Sequence, residues 1–189
     1  MKRTLLAASA VALLTLAGCG SAATSAASST TAAAAPTTAA AAPAGAAQAP
    51  AAPGATVPGI PALSGTPTDL KAQSQAEAGT GQPPTQLLTQ DVVVGTGPAA
   101  KASDTVNVRY SGTLYNGTPF DSSWSRGDAP TSFPLDQVVP GFSQGIVGMQ
   151  PGGRRVIVIP PELGYGAQTN GPVPGGSTLV FVVDLVGIS

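Results

Sequence analysis

The chain has 189 residues, only 9% of them charged, and a formal net charge of −1. That balance provides no basic footprint for nucleic acid. The absence of histidine and the single cysteine, Cys19, exclude histidine-based metal sites, histidine-dependent triads, an internal disulfide framework and multi-cysteine zinc sites.

The N-terminus opens with Lys2 and Arg3, continues through an apolar run from Thr4 to Leu16, and closes on Leu16-Ala17-Gly18-Cys19. A spanning helix needs about 20 apolar residues, so this shorter run reads as a secretory signal. Its end resembles the lipobox of bacterial lipoproteins, whose cysteine is lipidated before cleavage. The resemblance implies a lipoprotein signal peptide over residues 1–18, with Cys19 as the lipidation site. Stable anchoring takes about two lipid signals, which a multiply acylated cysteine supplies. The alternative is ordinary secretion, with cleavage at a small-residue site such as Ala22-Ala23.

Residues 19–84 are rich in Ala, Thr, Ser, Pro and Gly, and Ile60, Leu63 and Leu70 stand isolated among them. Such a segment buries too little surface to offset chain entropy. Pro36, Pro43, Pro50, Pro53, Pro58 and Pro61 interrupt each candidate helix. The segment is expected to be a disordered tether, dispensable for stability, with at most a transient helix over Thr66 to Ala78. About 65 such residues have an r.m.s. reach of roughly 45 Å.

Residues 85–189 are the size of one domain. They carry five basic and seven acidic residues, a net −2, which favours no polyion. Asp91 to Gly95 reads as a short strand ended by Gly-Thr-Gly. Thr105 to Leu114 reads as a second, with Val106, Val108 and Tyr110 on one face. Asn116-Gly117 is a hairpin signal. It is followed by Phe120-Asp121, a carboxylate beside a large aromatic, which is costly to bury without a partner. Taken alone, Asp121 reads equally as a turn residue. Ser132 to Leu135 is a third short strand. Phe142, Ile146 and Met149 fall on one side of a short helix within Val138 to Met149, starting near Pro140-Gly141. Gly145 and Gly148 weaken that helix, so it needs packing. Arg154 to Ile159 holds consecutive apolar residues, as a strand covered on both faces does. In Thr178 to Val186, Leu179, Phe181, Val183 and Leu185 share a face. Strands with one short helix make an α+β domain.

Five segments occur in order: Val-Arg-Tyr-Ser-Gly at 108–112, Gly-Thr-Pro-Phe-Asp-Ser-Ser at 117–123, Gly-Met-Gln-Pro-Gly-Gly at 148–153, Pro-Pro-Glu-Leu-Gly-Tyr-Gly at 160–166 and Leu-Val-Phe-Val-Val-Asp-Leu at 179–185. Together they closely resemble the FKBP-type peptidyl-prolyl cis-trans isomerases. The resemblance implies a five-stranded antiparallel sheet wrapped around one short helix, with an apolar pocket between them. It implies that Tyr110, Phe120 and Phe181 are aromatic walls and that Phe142 is the floor. It makes Asp121 the pocket acid, Arg126 its basic partner, and Tyr165 a hydroxyl that meets a ligand carbonyl. Val138 and Val139 lead into the helix, and the Val139 N–H points toward the ligand. Val173 and Pro174 match a loop over the pocket. Trp124 reads as a rim group, with a surface aromatic as the alternative.

The chain departs from the family pattern in four places. Phe142 stands where Trp is common, Leu163 where Tyr is frequent, and Thr131 where an aromatic is often found. The segment from Leu135 to Phe142 is shortened. The function implied is isomerisation of X-Pro bonds in exported polypeptides by a monomer anchored at the membrane through Cys19. Neither a cofactor, a metal nor nucleic acid is implied. A tethered, non-catalytic proline-binding module is the alternative.

Overall fold

The computed structural model describes residues 57–127 and 129–189. The signal segment, Cys19 and the tether up to residue 56 lie outside the described residues.

Two short strands come first, β1 (Leu63–Ser64) and β2 (Gln75–Ala76), paired only with each other. The main sheet then contains β3 (Leu88–Val93), β4 (Thr105–Leu114), β5 (Pro119–Ser122), β6 (Thr131–Pro134), β7 (Gly153–Ile159) and β8 (Leu179–Ile188). Its order is β3-β7-β8-β4, and both β5 and β6 pair with the outer edge of β4. β6 takes Thr105 to Val108 and β5 takes Ser111 to Thr113, every pairing in the sheet being antiparallel. The expected five strand positions are therefore present, with the edge position divided between two segments. The Asn116-Gly117 signal forms the β4–β5 turn. Gly117 has φ 86°, and the Leu114 N–H donates to the Thr118 carbonyl at 2.8 Å.

The helix α1 (Pro140–Ile146) is shorter than its periodicity suggests. Val147 turns to ψ 131° and Gly148 takes φ 86°, so helical geometry ends there. Arg155 caps this end by donating to the carbonyls of Gly145 at 2.9 Å and Val147 at 3.3 Å. Gly145 is required by proximity, since a Cβ there would stand 2.5 Å from Ile157 Cγ2. The helix thus lies directly on β7. Between helix and sheet sits the main core, including Val106, Val108, Tyr110, Phe142, Ile146, Ile157, Phe181, Val183 and Leu185.

The tether reading fails over residues 57–84. These residues form a strap across the opposite face of the sheet. Val57, Ile60, Leu63 and Ala76 pack with Val156, Val158, Val180 and Val182 in a second core. The two-sided apolar pattern of β7 has its cause here. Thr66 to Ala78 forms turns and β2 in place of a transient helix.

A buried guanidinium fastens the strap. Arg154, fully buried, meets Asp184 through Nε at 2.5 Å and Nη2 at 2.7 Å. Its remaining N–H groups reach the carbonyls of Pro67 at 2.9 Å and Ala72 at 2.9 Å and the Ser74 hydroxyl at 2.8 Å. A buried guanidinium needs an acceptor for each N–H, and the strap supplies those that Asp184 does not. A poorly apolar segment becomes ordered because the sheet beneath it already presents an apolar face and unsatisfied donors. Among the described residues no helix is long and apolar enough to cross a membrane.

Candidate active site

The inner face of the sheet carries the aromatic residues. Tyr110 on β4 and Phe181 on β8 are neighbours on adjacent strands, their ring centroids 6.2 Å apart. Phe120 on β5 meets Phe181 edge-on at 5.5 Å. Gly112 leaves room for this pair, since a Cβ there would lie 2.8 Å from Phe120 Cζ and 3.1 Å from Phe181 Cε1. From α1, Phe142 closes the floor at 5.1 Å from Phe181 and 6.5 Å from Tyr110. The result is a cavity of about 330 Å³, lined also by Asp121, Phe133, Gln137, Val138, Val139 and Tyr165.

A polar triangle stands at one edge. The Tyr110 hydroxyl donates to Asp121 Oδ2, and Arg126 Nη1 donates to Asp121 Oδ1 at 2.7 Å. Arg126 Nη2 donates to the Tyr110 oxygen at 2.6 Å, and the Ser122 backbone N–H adds a donor to Asp121 at 2.8 Å. Burial alone would raise the Asp121 carboxyl, but bonds from Tyr110 and Arg126 outweigh it and hold the group below the usual carboxylate range. The Tyr110 hydroxyl is pushed up to about 12, first by burial and then by its bond to Asp121. Around neutrality the edge is therefore a fixed carboxylate, a neutral phenol and a cation, and none of the three exchanges a proton. Ion pair and phenol together set a fixed charge pair and a dipole at the cavity edge.

Eight of the expected site residues line this one cavity: Tyr110, Phe120, Asp121, Val138, Val139, Phe142, Tyr165 and Phe181. Arg126 joins through its bonds to Asp121 and Tyr110. Three do not line it. Val173 is buried in the main core and tied to Asn170 by paired backbone bonds. Pro174 lines a different cavity, with Tyr115 and Thr178. Trp124 lies under the Arg109 guanidinium, 5.5 Å from ring centroid to carbon. The loop that carries Val173 and Pro174 is closed by a bond from the Gly176 N–H to the Gly166 carbonyl at 2.8 Å.

Phe133 and Gln137 were missed. Phe133 packs edge-on to Tyr110 at 5.7 Å and Phe142 at 5.9 Å. The signal was present, since Phe133 pairs with Val106 and therefore shares its face. Gln137 has no periodic signal. A larger cavity of about 620 Å³ lies under the strap, lined by Ile60, Leu63, Glu77, Gln90, Val92 and Val156 among others, with no aromatic side chain to grip a ring. Among the described residues no cluster of three or more His, Cys, Asp or Glu could hold a metal ion.

The sequence pattern of FKBP-type peptidyl-prolyl cis-trans isomerases matches residues 97–186. A probable FK506-binding protein of Corynebacterium glutamicum is 42% identical over 113 residues, which cover 59% of this chain and 95% of that protein. The chain belongs to the FKBP-type isomerase family. FkpA of Escherichia coli K12, named as an FKBP-type peptidyl-prolyl cis-trans isomerase, is 48% identical over 55% of this chain and 38% of its own length. The crystal structure of Escherichia coli FkpA superposes with a TM-score of 0.53 at 48% identity, covering 56% of this chain and 49% of that one. A peptidyl-prolyl isomerase structure from Pseudomonas syringae gives 0.50 at 35% identity, over 55% and 75% of the two chains. The match to FkpA thus spans less than half of that relative. The strap, residues 57–84, precedes the residues matched by the family pattern. Among the described residues this chain has a large antiparallel sheet and one α-helix, consistent with the FKBP fold of these neighbours.

Proposed function

We propose that this FKBP-family chain is a peptidyl-prolyl cis-trans isomerase for exported polypeptides, held at the cell envelope through a lipidated Cys19 and acting as a monomer. The observation that carries the reaction is the aromatic cavity of about 330 Å³ with its fixed polar edge. An X-Pro bond favours trans by only about 0.5–1 kcal/mol, but rotation meets a barrier of ~18–20 kcal/mol. Uncatalysed exchange takes roughly 10–100 s. The barrier is lost amide resonance, so the reaction needs no nucleophile. In the twisted state the amide nitrogen is pyramidal and the carbonyl less polar, and an apolar cavity suits that state better than water does. Tyr110, Phe142 and Phe181 grip the proline ring, and Phe120 and Phe133 extend the wall. Asp121, with Tyr110 and Arg126, organises the edge near the reacting carbonyl. The Tyr165 hydroxyl and the Val139 N–H hold flanking peptide carbonyls. Trp124, Val173 and Pro174 act only at a distance in this reading.

A protease-coupled assay on Phe-Pro and Leu-Pro peptides tests the reaction, with acceleration expected for the purified chain. A folded chain that binds such peptides without raising the rate above background would instead be a proline-binding module. The anchor rests on Leu16-Ala17-Gly18-Cys19, and labelling with a fatty acid is expected to mark the wild type and not Cys19→Ser. Equal labelling of both would remove it.

A further inference from the structure

The strap reaches the active site from behind. Side chains alternate along β4, so Tyr110 and Gly112 face the cavity and Ser111 between them faces outward. On β5, Asp121 pairs with Gly112, and the next residue, Ser122, pairs with Ser111. Gln73, from the strap, sits over this outward pair. Its side-chain amide donates to Ser111 Oγ at 3.2 Å and to Ser122 Oγ at 3.2 Å, one N–H for each serine. The Ser122 hydroxyl also accepts from the Trp124 N–H at 3.2 Å and donates to the Tyr110 carbonyl at 3.3 Å. One amide therefore bridges β4 and β5 directly behind Tyr110 and Asp121.

β5 needs such a brace. It is a four-residue edge strand, and its register against β4 shifts between Gly112 and Thr113. The position of Gln73 is itself held. Arg154 bonds the residues on either side of it, the Ala72 carbonyl at 2.9 Å and the Ser74 hydroxyl at 2.8 Å. That leaves the Gln73 side chain aimed at the serine pair.

We propose that Gln73 is a positioning residue for the isomerase site, acting through Ser111 and Ser122 to hold Asp121 against Tyr110 and Arg126. The functional unit then begins in the strap, upstream of the residues that match the family pattern. The inference rests on the isomerase reading, and its test separates the two.

Gln73→Met keeps the length of the side chain and removes both donors. It is compared with wild type, Asp121→Leu and the double variant in the full chain. The expected result is a kcat/KM lower by roughly two- to tenfold for Gln73→Met. In the Asp121→Leu background the same change should have no further effect on kcat/KM, while any loss in urea midpoint persists in both backgrounds. A second readout is independent of activity. The Asp121 carboxyl, faced by Tyr110 and Arg126, is titrated by carbon NMR. Its midpoint should move up toward the ordinary carboxylate value in Gln73→Met. An unchanged midpoint, or an equal loss of activity with and without Asp121, would overturn the positioning role. An inactive wild type with a shifted Asp121 midpoint would sink the isomerase reading and leave the brace standing.

Discussion

At Asp121 three donors converge on one carboxylate, from Tyr110, Arg126 and the Ser122 backbone. Asp121 and Arg126 keep 40% and 52% of their side-chain surfaces exposed, so the pair adds little to stability. In the proposed reaction its value is orientation. Asp121→Leu is expected to lower kcat/KM about tenfold, or ~1.4 kcal/mol of barrier, with the fold intact by circular dichroism. Because the folded Asp121 titrates below its ordinary value, the charged arrangement persists through the ordinary carboxylate range and is lost only as pH falls through the lowered folded value. On the alkaline side Tyr110 stays protonated, its hydroxyl being pushed up to about 12. The kcat/KM profile should therefore be flat between about pH 5 and 8 and fall only at more acidic pH. An activity limb near neutrality would assign the chemistry to a different group. Phe142→Ala should be more damaging, since Phe142 is buried and touches Tyr110, Phe133 and Phe181. Its removal should lower stability by about 3–5 kcal/mol, read as a urea midpoint, with activity falling more than in Asp121→Leu.

The two arginines opening β7 tie separate elements to it. Arg155 joins β3, through Asp91 at 2.6 and 3.0 Å, to the end of α1. Arg154 joins the strap to Asp184 on β8. Burial raises the Asp184 carboxyl, partly opposed by Arg154. Arg154→Met should leave that carboxylate buried without its partner and lower stability by about 3–5 kcal/mol. The sign with pH follows from the raised value. An acid that binds its proton more tightly when folded makes folding less favourable as pH rises through its folded pKa. The deficit of Arg154→Met should therefore shrink as pH is lowered from neutral, measured by urea unfolding at several pH values. Adding Asp184→Leu should recover much of it, because no buried charge is then left unpaired.

For the molecule as a whole, the sheet separates two apolar layers. The inner layer holds the helix and the cavity, and the outer layer holds the strap. Removing residues up to 84 would bare Val156, Val158, Val180 and Val182 together with Arg154. A chain of residues 85–189 is expected to lose more than about 1 kcal/mol relative to one beginning at 57, read from urea midpoints. It should also associate more readily, since a contiguous apolar patch would face water. Equal midpoints would show that the strap adds no net stability. The fatty-acid test of Cys19 belongs to this scale too, because the strap continues from the segment that leads back to that cysteine.

The alternation Val106, Val108, Tyr110 placed β4 correctly because strand periodicity is a property of neighbouring residues. The Asn116-Gly117 turn was legible for the same reason, since positive φ is a local demand. Five short segments in register were enough to expect the sheet, the helix and most of the aromatic cavity, down to Asp121 beside Tyr110. Phe133 shares the face of Val106 only through the pairing of β6 with β4, a register that a four-residue strand does not announce by itself. Other features depend on distant residues. The proline-rich composition of residues 57–84 does not reveal that an apolar sheet face and a buried guanidinium wait for it. The near-complete burial of Arg154 and Arg155 follows from acceptors on other elements. Val173 and Pro174 were assigned by position in a motif, yet the path of their loop was decided by packing. Local sequence determined strands and turn, because each is set by residues a few positions apart, and the ordered family segments implied the aromatic wall that the strand pairing brings together. The tertiary structure alone decided which segment covers the outer face and braces the site, because that contact joins residues far apart in the chain.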